Sequence, residues 1–152
     1  DTDGKVAALV AGSGTGGTIT GTGQRLKELN KDIKVYAVQP AASPLLTGGQ
    51  AAGHPIAGIG PNFIPSILDT TVYDEVISIE NGDAFAWSRR MGAEEGILAG
   101  ISSGAAVKAA VEVAHKPEFA GKIVVVIIPS FGERYLSTTL YRDIQEEFNP
   151  TN

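Results

Sequence analysis

The chain has 152 residues, of which 43% are hydrophobic and 19% charged, and a net charge of -5. That is the balance of a globular domain with enough chain to bury a core, and its acidic sign argues against nucleic acid or an anionic membrane as main partner. Without a single cysteine there are no disulfides, thiolate nucleophiles or cysteine metal sites.

The opening "DTDGK" reads as a turn that leads abruptly into an apolar run, Val6 to Ala11, suited to a buried strand. Thr18 to Leu29 follows as a helix anchored by Ile19, Leu26 and Leu29 and closed by Asn30. "KVYAVQ", Lys34 to Gln39, is a second strand, stopped by Pro40. Strand, helix, strand is a βαβ unit, parallel and right-handed. Residues 40–66 carry many Gly and Pro residues and no periodicity, yet their Leu45, Leu46, Ile56, Ile59, Phe63 and Ile64 favour an ordered, functional loop.

Asp74 to Ile79 reads as a short strand, and Asn81 as the cap of a helix reaching Glu95, with Trp87 in its core face. "GILAG", Gly96 to Gly100, reads as another short buried strand. Ser102 or Ser103 is expected to cap a helix over Ala105 to Ala114. "KIVVVII", Lys122 to Ile128, fits a parallel strand buried on both faces, and Ser137 to Phe148 fits an amphipathic helix. The order predicts an α/β fold: a three-layer sandwich with a mostly parallel sheet. His54 and His115 stand far apart in sequence and suggest no metal site. No apolar run has membrane-span length and no signal-peptide pattern opens the chain, so the expected location is cytoplasmic.

The stretch "AGSGTGGTITGTG", residues 11–23, holds Gly12, Gly14, Gly16, Gly17, Gly21 and Gly23 at a strand-to-helix junction. Such a turn binds anions, because free N–H groups of the first helical turn and the helix dipole meet there, and glycine lets the ligand come close. A triphosphate loop has the glycine spacing but needs lysine where Thr18 stands. The dinucleotide fingerprint is present as Gly12, Gly14 and Gly17, but the ribose-binding acid would fall near Gln39. A single phosphate monoester, held by backbone N–H groups and threonine hydroxyls of "GTGGT", needs no cation and fits best.

Together with "SPLLTGG", "GIGPNFIP", "LAGISSGAA" and "PSFGERYLST", this loop closely resembles the cysteine synthases (O-acetylserine sulfhydrylases). They are fold-type II pyridoxal-phosphate enzymes, related to the tryptophan synthase β chain. The resemblance runs from about Asp3 to about Glu147. It implies that Gly14, Thr15, Gly16, Gly17 and Thr18 bind the phosphate of pyridoxal 5′-phosphate. It implies that Ser130 contacts the pyridine nitrogen, and that Gly58 and Gly60 line the substrate cleft. The implied reaction makes cysteine from O-acetylserine and sulfide by β-elimination and replacement. A neutral serine at the ring nitrogen, in place of a carboxylate, favours that course over transamination. A homodimer and a complex with the C-terminal tail of serine acetyltransferase are implied too. Cystathionine β-synthase shares "GTGGT" and is the alternative within the class; a dinucleotide-binding domain of an oxidoreductase and a non-enzymatic binding module are alternatives outside it. Two departures from the resemblance are Gln39, where many relatives carry Glu, and Asn62, where they carry a small residue. Gln39 and Arg134 are expected to be structural, the latter as an ion-pair partner.

Pyridoxal-phosphate chemistry needs a lysine. The seven here, Lys5, Lys27, Lys31, Lys34, Lys108, Lys116 and Lys122, all sit near turns or element ends, and none has the sequence context of the family's Schiff-base lysine. The expectation is a single domain, residues 1–152, forming the C-terminal half of a cysteine synthase with no catalytic residue of its own. The N-terminal half, with the Schiff-base lysine, would then be absent from this chain. Surfaces that half would cover should be apolar and bare.

Overall fold

Four short apolar runs become one sheet. In a computed structural model of the chain, which describes residues 2–148, the strands are β1 (Val6–Gly12), β2 (Lys34–Pro40), β3 (Glu75–Ile79) and β4 (Ile123–Val126). They lie in the order β3-β2-β1-β4, and each neighbouring pair is parallel. Parallel neighbours require crossovers. Helix α1 (Gly17–Leu29) joins β1 to β2, and α2 (Asn81–Glu95) with α3 (Ile101–Ala114) joins β3 to β4. A long irregular connection joins β2 to β3, with one 3₁₀ turn at Leu45–Thr47, as its composition predicts. Helix α4 (Arg142–Phe148) ends the described chain.

Strand side chains alternate between the two faces, and the core divides accordingly. Ala8, Val10, Val38 and Ile77 pack under Ala105, Ala109 and Val113 of α3. Leu9, Ala11, Val35 and Ala37 pack under Ile19 of α1 and Leu68. This is the predicted three-layer α/β sandwich. Its alanine-rich α3 lets α2 approach closely. A side chain at Gly104 would collide with the Ala84 carbonyl and with Ser88. The Ser88 hydroxyl donates to the Ala99 carbonyl at 2.8 Å.

Several local expectations are corrected. "GILAG" is no buried strand: it forms one antiparallel bridge, Ala99 to Phe131, and leaves Ile97 49% and Leu98 42% exposed. The residues after the left-handed C-cap Gly96 (φ 69°) are a short link between two packed helices, too short to enter the sheet. The strand in "KIVVVII" alternates between both cores as expected, Val124 and Val126 to one and Val125 to the other. As an edge strand, however, it stays half-buried, with Ile123 39% exposed. Phe131 and Leu136 are likewise exposed apolar residues.

Asn81 does not cap α2. Glu80 holds that position, because its carbonyl already accepts from Ala84 N at 3.1 Å. The predicted C-terminal helix is interrupted, since Leu140 and Tyr141 turn into the core. There the Arg89 guanidinium donates to the Leu140 carbonyl at 2.6 Å and reaches Asp143 at 3.1 Å. Arg89 thus fills the bracing role foreseen for Arg134, which is exposed and has no ion pair among the described residues. Trp87 is half-exposed and carries the Arg90 guanidinium 4.1 Å above its ring; it is not core.

Candidate active site

The carboxyl ends of β1 and β2 build the site, the position where open α/β sheets present ligands. β1 stops at Gly12, and the next residue is tied to both neighbours: Ser13 N–H donates to the Val38 carbonyl, and Ser13 O accepts from Gly60 N–H, each at 2.9 Å. The chain then turns through Gly16, whose left-handed φ of 88° makes it the N-cap of α1. No side chain caps this helix, so its leading N–H groups remain open. Gly17 N–H has only a long 3.5 Å contact with Thr15 Oγ1. Among the described residues the N–H groups of Thr18 and Ile19 have no acceptor. Thr15, Gly17 and Thr18 are exposed, so the donors face solvent and not a protein partner.

The long irregular loop folds back over this turn. A Cβ on Gly14 would lie 2.5 Å from the Gly58 carbonyl oxygen, and one on Gly12 would lie 2.6 Å from Ile59 Cγ2. Gly14, Thr15, Gly58, Ile59, Pro61, Phe63, Pro65, Ser66 and Ile67 line a cleft of about 470 Å³. No charged side chain is among them. An anion there would be held by N–H dipoles and hydroxyls alone. Gly60 (φ 63°) is not part of this lining. It packs on Pro40, and its carbonyl accepts from His54 Nε2 at 2.9 Å, so it shapes the loop from behind.

Ser130 follows β4 and lies at the start of α3. Its Oγ is 2.9 Å from Ser102 Oγ and 3.0 Å from Ser103 Oγ. Ser103 Oγ also donates to the Ser130 carbonyl at 2.8 Å and accepts from its N–H at 3.0 Å. Ser102 and Ser103 are therefore not helix caps; Gly100 takes that place. They are buried inside the first turn of α3 and grip Ser130. The signal for this in the sequence is the glycine on either side: Gly100 leaves room for the Ser130 side chain, since a Cβ there would sit 2.5 Å from Ser130 Oγ, and Gly104 seats α3 on α2. Ser102 Oγ in turn lies 3.9 Å from where a Gly58 Cβ would be. Gly58 thus lies between Gly14 and the serine cluster, while Gly16, Gly17, Thr18, Ser102 and Ser130 are outside the cleft lining itself.

The remaining residues singled out in the sequence are elsewhere. Gln39 is only 1% exposed. Its amide accepts from Leu46 N–H at 2.9 Å and bonds to the Thr47 and Ser78 hydroxyls at 3.0 Å each. It is structural, and it has no free group to offer a ribose, which removes the dinucleotide reading. Asn62 is exposed and outside the cleft lining. Lys27, Lys34, Lys108 and Lys116 are in ion pairs away from the loop, and no lysine lines the cleft. Among the described residues no helix is long and apolar enough to cross a membrane.

The donor set fits the phosphate group of pyridoxal phosphate: open N–H groups at a helix start, a glycine cradle that a Cβ would fill, and flanking hydroxyls. Comparison with known proteins agrees. A probable cysteine synthase of Bacillus subtilis is 54% identical over 138 residues, which is 90% of this chain and 43% of that protein. The crystal structure of a cysteine synthase from Entamoeba histolytica superimposes with a TM-score of 0.92 at 42% identity, covering 100% of this chain and 47% of that one. An O-acetylserine-dependent cystathionine β-synthase from Helicobacter pylori superimposes at 0.82 with 39% identity, covering 91% of this chain and 44% of that one. The chain thus spans less than half the length of these relatives. Residues 1–130 match the family described as pyridoxal-phosphate dependent enzyme, and the chain belongs to that family.

Proposed function

We propose that this chain supplies the cofactor-phosphate part of a cysteine synthase active site, making cysteine from O-acetylserine and sulfide. The observation that carries the reading is the uncapped N-terminus of α1 next to an uncharged cleft that Gly14 and Thr15 line together with Gly58. In this reading Gly14, Thr15, Gly16, Gly17 and Thr18 hold the cofactor phosphate. Ser130 contacts the pyridine nitrogen, Gly58 lies at the substrate side, and Gly60 supports the loop that carries it. Bound there, pyridoxal phosphate supplies the electron sink for chemistry at an amino acid's α-carbon.

The residues of this chain bind and orient. The N–H groups of the first turn of α1 neutralise the phosphate without a cation. Thr15 and Thr18 add hydroxyl donors. Ser130 offers a neutral hydroxyl to the ring nitrogen and does not hold a proton on it as a carboxylate would. With the ring nitrogen unprotonated, the cofactor would be a milder electron sink, one suited to β-replacement rather than racemisation. Phe63, Pro65 and Ile67 would give the cofactor an apolar wall on one side of the cleft.

The chain's share of its relatives' length and its lysine-free cleft support a further reading: the group that forms the covalent bond to the cofactor belongs to the N-terminal half of the enzyme, outside residues 1–152, which are one domain without it. The same reading extends to a cytoplasmic homodimer that receives the C-terminal tail of serine acetyltransferase, as the resemblance implies. The test is to add the matching N-terminal half. We expect cofactor absorbance and sulfide-dependent cysteine to appear together; absence of both would favour a plain binding module. The Helicobacter relative motivates a second nucleophile, and homocysteine outcompeting sulfide would move the assignment to cystathionine formation.

A further inference from the structure

Of the three hydroxyls at the start of α3, the proposed function uses only that of Ser130. Hydrogen-bond bookkeeping gives the others distinct duties. Ser103 has one hydroxyl proton, and it is committed to the Ser130 carbonyl at 2.8 Å. Toward Ser130 Oγ, 3.0 Å away, Ser103 can therefore only accept. Ser102 Oγ lies 2.9 Å from Ser130 Oγ, and among the described residues its proton has no other taker. Ser102 is 2% exposed and Ser103 0%, so neither can turn to bulk water, and buried hydroxyls keep their partners. The arrangement that satisfies all three runs one way: Ser102 donates to Ser130, and Ser130 keeps its own proton to give.

From this we infer that Ser102 is a positioning residue that sets the direction of the Ser130 hydroxyl. By donating to one lone pair of Ser130 Oγ, it leaves the Ser130 proton for an external ring-nitrogen acceptor. Ser103 pins the Ser130 backbone and accepts that proton when no ligand is present. Linked hydroxyls polarise one another, so the Ser102 donation strengthens the bond Ser130 makes. The positive end of the α3 dipole acts in the same sense. No proton is transferred; the cluster fixes which oxygen donates. The inference rests on Ser130 being the ring-nitrogen contact.

The experiment is titration of the 152-residue chain with pyridoxal 5′-phosphate labelled with ¹⁵N in the ring, read by the ring-nitrogen chemical shift at saturation. Wild type should displace the resonance upfield from that of the free, unprotonated cofactor. S102A should return it part of the way and weaken affinity about threefold to tenfold, the loss of one modest hydrogen bond. S102T, which keeps the hydroxyl, should restore the wild-type shift, and S130A should abolish the displacement. If Ser102→Ala fails to fold, Ser102→Cys keeps the volume with a weaker donor and should move the shift in the same direction. A wild-type shift in S102A or S102C with the displacement lost in S130A overturns the role of Ser102 alone. A wild-type shift in S130A overturns the reading of Ser130 itself.

Discussion

Gly14 lies so close to Gly58 that a single added methyl would meet the Gly58 carbonyl oxygen at 2.5 Å. The contact joins the phosphate-binding turn to the long loop between β2 and β3. Those segments are 44 residues apart in sequence, and their meeting creates the cleft.

G14A is therefore expected to force the two loops apart. Overpacking of this kind costs about 1–3 kcal/mol, and the cradle loses its shape. Cofactor affinity should fall at least about tenfold, the equivalent of 1.4 kcal/mol. Thermal unfolding and a cofactor titration on the same variant check both effects. Unchanged affinity would mean that the Gly14–Gly58 approach does not shape the site.

Gln39 anchors the loop from behind. Q39A would strip three partners, Leu46 N–H and the Thr47 and Ser78 hydroxyls, and leave a buried N–H unpaired. The expected loss of stability is about 2 kcal/mol, read as a lower urea midpoint at an unchanged slope. A change within a few tenths of a kcal/mol would contradict a structural role for this residue.

Asp74 ties β3 to β2. Its carboxylate accepts from Val35 N–H at 2.8 Å and pairs with Lys27 at 2.8 Å and Lys34 at 3.4 Å. Burial works against its charge, but the Lys27 hydrogen bond, the Val35 N–H and the charges of Lys27 and Lys34 outweigh it, and the carboxyl is held below its ordinary value. A group whose folded pKa is depressed stabilises the fold above its unfolded value, near pH 4, and loses that contribution as pH falls through the folded value. Stability should thus decline below about pH 4. D74N should cost about 1 kcal/mol at neutral pH and flatten the acid limb. Urea titrations across pH 2.5–7 would show whether the two curves converge at the acid end, as this predicts.

Fold class and most element types were legible because strand and helix periodicities are local properties. Val6 to Ala11, Lys34 to Gln39 and the glycine-rich start of α1 needed no tertiary information. The failures share one cause. Ser102 and Ser103 have the chemistry of helix caps, and only the arrival of Ser130 after the end of β4 gives their hydroxyls another use. "GILAG" and "KIVVVII" have the composition of buried strands, but burial depends on what packs beside them, and within this chain β4 is an edge. Gly60 shares a motif with Gly58 yet packs on Pro40 and His54, a distinction set by which segments fold against the loop. The site was visible as a phosphate loop; the serine cluster was visible only in three dimensions.

In the proposed function this chain grips the cofactor by its phosphate and forms no covalent bond to it. The direct measurement is a parallel titration with pyridoxal 5′-phosphate and with pyridoxal, followed by borohydride reduction and mass spectrometry of the chain. Saturable binding is expected only of the phosphorylated form, competed by inorganic phosphate, with no cofactor fixed on any of the seven lysines. Equal binding of the two forms, or stoichiometric reduction onto one lysine, would contradict it.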